Sequence, residues 1–342
     1  MSVAAAIRTR DVGELPSRRD EDWRWTDLRG LIRVLPEPSE AFTGTLNAGP
    51  FDRLAADHHV LVNGGDARIE VAAGKKTLVA LRLVSRGAGA HASRVTIHLA
   101  AGARLRLLES YESDGGSVSQ TALTITLAEG AALERIVLAQ DHEDAVSVSQ
   151  AEVRLSPTAD FGQTVVTGGA RRQRIETRVA HPGGRASVRL DGVYLLAGKC
   201  HADHTTVVAH DGVDGTTNQL IKGVARDQAR GVFQGKIIVA EGADRTDARM
   251  GHHALILSDR AEVDAKPELE IYADDVSCAH GNTVGAMDEE ALFYARQRGI
   301  PEVEARAMLT EAFIGQVIDR IWFEDARRVV RMWAAERLRV PA

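Results

Sequence analysis

A chain of 342 residues that is 44% hydrophobic and 26% charged has the make-up of a folded protein with room for one large domain or two to three smaller ones. Its net charge of −6 disfavours nucleic acid as a partner, and its two cysteines are too few for a disulfide-stapled secreted scaffold. No apolar run approaches the roughly 18–20 residues needed to span a bilayer, and Met1–Arg10 lacks an apolar stretch of signal-peptide length, so a cytoplasmic protein with no membrane partner is expected.

Residues 1–53 read as a helical or irregular N-terminal region. A charged stretch, Arg18–Asp22, runs into Trp23-Arg24-Trp25-Thr26-Asp27-Leu28, which suggests a helix or turn docked on an apolar surface. Pro36, Pro38 and Pro50 then prevent long regular structure.

Residues 54–285 change character. Short Val/Ile/Leu runs alternate with polar residues and are broken by glycine, the period-two pattern of strands. With aromatics at only 4%, the core must be filled by Val, Leu, Ile and Ala, which suits stacked layers. The pattern repeats. Val95-Thr96-Ile97-His98-Leu99 precedes Gly102-Ala103 and Leu105, and Leu123-Thr124-Ile125-Thr126-Leu127 precedes Gly130-Ala131 and Leu133. Ala151-Glu152-Val153-Arg154-Leu155 precedes Thr158-Ala159 and Phe161, so both offsets are 28 residues, and a looser copy is read at Ala186–Leu190. A fixed period of this size is the signature of a solenoid. No repeat has room for a crossover helix, and a β-sandwich would not demand one spacing with one turn. The expected fold is therefore mainly β: a parallel β-helix over 54–285, with flanking helices covering its open ends.

Residues 286–342 supply helices. Asp288 is a good N-cap before Glu289-Glu290, Gly299 stops that helix, and Pro301 opens another. Ala307, Leu309, Ala312, Phe313, Val317, Ile321 and Trp322 recur at helical spacing, and Arg327–Arg339 continues as a basic amphipathic helix. Such a face packs on the chain's own solenoid or binds another protein.

Enzyme signatures are missing. Gly231-Val232-Phe233-Gln234-Gly235-Lys236 is followed by Ile237, where a phosphate-binding loop needs a hydroxyl, and neither His-Glu-x-x-His nor Gly-x-Ser-x-Gly occurs. His201, His204 and His210, with Cys200 adjacent, read either as a metal site or, the better reading, as ordered polar residues bordering a solenoid face, and His252 and His253 diverge. The best constellation is Cys278-Ala279-His280-Gly281. On an extended segment Cys278 and His280 project to one side, and a thiolate with an imidazole suits zinc, copper or an iron–sulfur cluster. Two ligands are half a set, so either a partner supplies the rest or the pair is structural.

The string Lys266–Val276, with Cys278, His280-Gly281, Thr283-Val284-Gly285, Asp288-Glu289-Glu290, Leu292-Phe293-Tyr294 and Arg298-Gly299-Ile300, resembles the SufB/SufD family of iron–sulfur cluster assembly proteins. Gly231–Lys236, Thr246-Asp247-Ala248 and Asp203 with Thr206 and His210 are also similar, and Trp23–Thr26 resembles the short aromatic motif of the SufD branch. Length and cysteine count fit that branch better than the SufB branch. The resemblance implies a right-handed parallel β-helix flanked by helical N- and C-terminal regions. It implies a non-catalytic scaffold that pairs with a SufB-like subunit and carries a SufC-like ABC ATPase on its C-terminal helices.

On that resemblance Cys278 and His280 belong to a shared site at the subunit interface. A transient cluster or iron is handled there, with no cofactor held stably by the isolated chain. Phe293, Tyr294, Phe313, Val317, Ile321 and Trp322 are expected at the ATPase contact, and a homodimer is plausible for the isolated chain. Ala279, Asn282, Met250 and Ala254 depart from the family's usual Ser, Ala and polar residues. The alternatives are a β-helix carbohydrate-active enzyme or a purely structural solenoid.

Overall fold

Leu123, Ile125 and Leu127 are buried while Thr124 between them is exposed, because successive strand side chains project to opposite faces. In the computed structural model, which describes residues 3–40, 42 and 45–339, the chain forms seventeen strands. They are β1 (His58–Val62), β2 (Gly65–Val71), β3 (Lys76–Ser85), β4 (Ala90–Leu99), β5 (Arg104–Ser113), β6 (Val118–Leu127), β7 (Ala132–Gln140), β8 (Val146–Leu155) and β9 (Asp160–Thr167). There follow β10 (Arg172–His181), β11 (Ser187–Leu196), β12 (His201–His210), β13 (Thr216–Ala225), β14 (Arg230–Val239), β15 (Thr246–Ile256), β16 (Glu262–Ile271) and β17 (Val276–Gly285).

Odd-numbered strands form one nine-stranded sheet and even-numbered strands an eight-stranded sheet, each in chain order. Pairing is parallel throughout, so the chain winds from one sheet to the other and back in stacked coils: a parallel β-solenoid. A sandwich would have given antiparallel ladders. The sheets share an interior of Val95, Ile97, Leu107, Leu123, Ile125, Val137, Val153 and Phe161, stacked in apolar ladders.

The 28-residue period has a direct structural cause. Lys76 lies opposite Arg104, Arg104 opposite Ala132 and Ala132 opposite Asp160, each one coil of 28 residues away. Gly102 and Gly130 take the left-handed turn conformation between sheets, and Thr158 holds the same conformation in the third copy. The fourth copy expected at Ala186–Leu190 is not a copy of the first three. Ala151 lies opposite Thr177, whereas Ser187 lies opposite Asp160 in the other sheet. The coil from β8 to β10 is two residues short, Val146 facing Arg172, and the phase of the repeat is lost.

The helices do not cap the solenoid's ends, as the sequence suggested; they cover its flanks. Outward-facing Leu108, Ile136, Leu138, Val166, Val193, Leu195 and Val224 of the odd sheet pack beneath Ile314, Val317, Ile318, Ile321, Val330 and Trp333. Both sheet faces are apolar there, so the outer one needs its own cover. The N-terminal segment includes α1 (Val3–Thr9) and α2 (Leu28–Leu31), and it covers the even sheet over Ala90, Val118, Val146 and Val148. The C-terminal helices are α3 (Glu289–Gln297), α4 (Glu302–Ile318) and α5 (Glu324–Arg339). Asp288 caps α3 by accepting from the Glu290 and Ala291 amides. The single helical run read through Trp322 breaks after Ile318, and the α4–α5 junction is bolted down instead. Glu134 of β7 accepts from the Trp322 amide at 2.7 Å, and buried Asp191 of β11 is paired with Arg189 and Arg320 at 2.6 and 3.1 Å. The C-terminal end stays open: β16 and β17 are half-buried to exposed along their length.

Candidate functional site

Among the described residues β17 is the last strand of the odd sheet and pairs only with β15. Its register puts Cys278 opposite Ala248, His280 opposite Met250 and Asn282 opposite His252. Ala248, Met250 and His252 are buried. Cys278, His280 and Asn282 therefore form the inward-facing row of the final coil, where no further coil covers them. Cys278 is half-buried against the interior and His280 is exposed. The structure thus brings the predicted pair to one face of one edge strand. Partial burial, with Asp247 adding to it, raises the Cys278 thiol above its ordinary value despite a backbone contact from Ala248. The thiol is protonated at neutral pH, and a metal that takes it as thiolate must displace that proton. Among the described residues no group of three or more His, Cys, Asp and Glu side chains stands ready to hold a metal, and Cys200 is a free thiol in the turn before β12.

The histidines sort by strand face. His201 points outward, its Nε2 3.1 Å from the Trp25 carbonyl, while His204 and His210 point into the interior. His210 stacks on His181 at 4.1 Å between ring centres. Among the described residues none of the three belongs to a group that could hold a metal. His252 is buried and His253 is half-buried on the other face, as adjacent strand residues must be. The phosphate-loop look-alike is packing as well. Gly231 leaves room for the Tyr194 ring, which an added Cβ would approach to 2.5 Å, and Lys236 pairs with Glu270.

Trp23–Thr26 docks on an apolar surface, as the sequence suggests, and on buried charge as well: Trp23 packs against the cluster that holds Leu28, Val146 and Val148. Trp23 lies over the Arg174 guanidinium at 4.4 Å, and the Thr26 hydroxyl donates to Asp203 at 2.5 Å. Arg174 and Asp203 are fully buried and paired at 2.8 Å. Further along the strap, Lys266 of β16 reaches Glu21 at 2.7 Å.

The six residues expected at an ATPase contact divide. Val317 and Ile321 are buried against the solenoid and have no surface to offer a partner, because the outer face of the odd sheet takes that side of the C-terminal helices. Phe313 is half-buried beneath Lys222, whose Nζ lies 4.0 Å from its ring centre. Phe293, Tyr294 and Trp322 are 63%, 61% and 57% exposed, and Val303 and Met308 of α4 are exposed too. Sequence reasoning missed Asn282 and Tyr194. The one signal available for Asn282 was its departure from the family pattern.

The fold defines a class: a two-sheet parallel β-solenoid whose open edge strand places a thiol and an imidazole on one face. The family description "SUF system FeS cluster assembly, SufBD core domain" fits residues 82–313, and the chain belongs to that SufBD family. The chain is 35% identical over 178 residues to the iron–sulfur cluster assembly protein SufD of Escherichia coli, covering 52% of this chain and 42% of that protein. It is 30% identical over 182 residues to a SufBD family protein of Synechocystis (53% and 40%), and 32% identical over 136 residues to SufD of Bacillus subtilis (40% and 31%). The matched segment thus spans less than half the length of each of these relatives. Among the described residues, no helix is long and apolar enough to cross a membrane.

Proposed function

We propose that this chain is a SufD-like scaffold of iron–sulfur cluster assembly, and that Cys278 and His280 supply half of a ligand set completed by a partner chain. The observation that carries this reading is the open last coil. β16 and β17 leave a run of unpaired backbone groups, and edges of this kind are where another chain adds. The ligand pair lies on that edge, and its chemistry suits iron and sulfide. Completion by a second subunit supplies the missing donors. A SufB-like subunit is the proposed partner, a second copy takes the same edge in the isolated chain, and the cluster is cargo rather than a resident group.

An ATPase of the SufC type is proposed to dock through exposed Phe293, Tyr294, Val303 and Met308. Displacement of those helices reaches the odd sheet through the Glu134 and Asp191 contacts at the α4–α5 junction. The test is anaerobic co-expression with a SufB-like subunit and a SufC-like ATPase. His280→Ala is expected to leave the complex assembled while lowering cluster yield, measured by iron and sulfide content and visible absorption. The pair Phe293→Ser and Tyr294→Ser is expected to lose the ATPase from the purified complex while leaving the solenoid folded. Unchanged cluster yield in His280→Ala removes the site, and retention of the ATPase by the double variant removes the docking face.

A further inference from the structure

The inner row of β17 is anchored by a hydrogen-bond chain that starts deep in the solenoid. The Tyr194 hydroxyl lies 2.9 Å from His252 Nε2, and His252 Nδ1 lies 2.7 Å from Asn282 Oδ1. The amide oxygen can only accept, so the imidazole carries its proton on Nδ1, and Nε2 accepts from the tyrosine hydroxyl. Both ring nitrogens of His252 are accounted for. Phe233 stacks on the ring at 4.7 Å and 9°. Tyr194 is itself immobile, its ring seated against Gly223 and Gly231, where an added Cβ would come to 1.8 and 2.5 Å. A rigid residue of β11 thus holds the imidazole on β15, and that imidazole holds the exposed edge strand two residues beyond His280.

We propose that Tyr194, His252 and Asn282 are positioning residues for the Cys278–His280 pair. An edge strand with a ladder on one side only frays by local opening, and each opening moves both ligands. The bond into Asn282 ties β17 at the point where its inner face would otherwise be free. This role rests on the reading of Cys278 and His280 as ligands.

The first arm of the test uses the isolated full chain and reads geometry without any cluster. Alkylation of Cys278 is timed against Cys200 as an internal reference, together with amide hydrogen exchange over residues 276–285. Asn282→Ala is expected to speed both about fivefold, the factor that one lost neutral hydrogen bond allows, with Cys200 unchanged. Asn282→Asp, which keeps an acceptor oxygen, is expected to return within about twofold of the parent. Tyr194→Phe keeps the ring packing but frees His252 Nε2, and it is expected to shift the ring-nitrogen resonances of His252 away from the pure Nδ1–H form. Equal alkylation and exchange rates in Asn282→Ala and the parent overturn the proposal.

The second arm measures cluster yield in the assembled complex. A loss in Asn282→Ala that is rescued by Asn282→Asp supports the positioning role. An unaffected Asn282→Ala beside an impaired His280→Ala overturns positioning and leaves the functional reading standing. No effect from His280→Ala takes down the functional reading first, and the positioning role falls with it.

Discussion

Arg135 and Glu109 meet inside the solenoid, where neither side chain reaches solvent: Nη2 lies 2.6 Å from Oε1 and Nε 2.8 Å from Oε2. They project inward from β7 and β5 among Leu107, Val137 and Leu105, and Arg135 also donates to Gln163 at 2.7 Å. A forked pair of this geometry satisfies both ions in an apolar interior, yet its attraction is largely offset by the cost of dehydrating them. Breaking it and replacing it should therefore differ sharply. Arg135→Met alone leaves a buried carboxylate and is expected to cost about 3–5 kcal/mol in urea unfolding. Arg135→Met with Glu109→Leu is expected to recover most of that loss. A double variant as unstable as the single one would mean that the pair contributes more than shape and neutrality.

The N-terminal strap is held by a second buried charge centre. Burial alone would push the Asp203 carboxyl up, but Arg174, Thr26, His201 and Thr205 hold it below its ordinary value. It is therefore ionised at neutral pH and accepts from Thr26. Thr26→Val removes a hydrogen bond to a charged acceptor, a loss of about 1.5–3 kcal/mol, and loosens residues 21–27 first. The expected outcome is faster tryptic cleavage at Arg18, Arg19 and Arg24, with the strands from β2 to β8 unaffected. Trp23→Ala, which uncovers Arg174, is expected to act in the same direction. Cleavage at the parent rate in both variants would show that the strap is held by α1 and α2 instead.

The coils were legible where they were identical and illegible where they changed length. Between β2 and β9 the 28-residue spacing is written into Val95–Leu99, Leu123–Leu127 and Ala151–Leu155, because in-register stacking demands equal coils. The short coil after β8 breaks the count, and Ala186–Leu190 then looks like a copy although it lies in the other sheet. Period two tells which residues share a face, not what covers it. Ile136-Val137-Leu138 is apolar on both faces, and only the fold shows that Val137 meets the interior while Ile136 and Leu138 meet the C-terminal helices. Cys278 and His280 were found because two residues on one strand suffice to place them. The bond from His252 to Asn282 was not, because it joins residues thirty apart across a coil whose length no repeat announced.

Acid should destabilise the protein through its histidines. Burial, the largest cause in each case, holds His201, His204 and His252 down to about 4 and His210 to about 3, from an ordinary 6.5. Asp203 opposes the shift in His201 and His204, while Arg172 adds to it at His201 and His181 at His210. Between about pH 6.5 and 4 the unfolded chain binds these protons and the folded chain does not, so stability falls as pH falls. Each such group contributes on the order of 3 kcal/mol across that window. Asp191 works the other way. Burial raises its carboxyl to about 6 although Arg189 and Arg320 pull it down, so the folded chain takes that proton first. Burial also holds His91, His181 and His253 down and Asp141, Glu152 and Asp160 up, so the balance rests on the four strongly shifted histidines against Asp191, a net loss. The urea midpoint is expected to drop steeply from pH 7 to 4.5, and His204→Leu, whose Nε2 has no partner to lose, is expected to flatten the slope. An identical slope in His204→Leu would place the acid sensitivity elsewhere.

Tyr194 connects the interior to the open edge, and its seat depends on the absence of a methyl group at residue 223. A Cβ added to Gly223 would fall 1.8 Å from Cζ of the ring, deep inside contact distance. The ring has little room to yield, because Gly231 also lies against it and His252 receives its hydroxyl. Gly223→Ala is expected to cost about 1–3 kcal/mol of overpacking or more, and to disturb more than stability. With Tyr194 displaced, His252 loses its donor and the clamp on Asn282 weakens, so hydrogen exchange over β17 should quicken while β5 to β9 remain protected. Tyr194→Leu in the same chain relieves the clash without restoring the hydroxyl. The double variant is therefore expected to regain global stability yet keep the fast exchange at the edge. That split separates packing from hydrogen bonding at one residue, a non-additivity that independent sites would not give. Recovery of both quantities together would show that ring volume alone, and not the chain of donors, fixes the last strand.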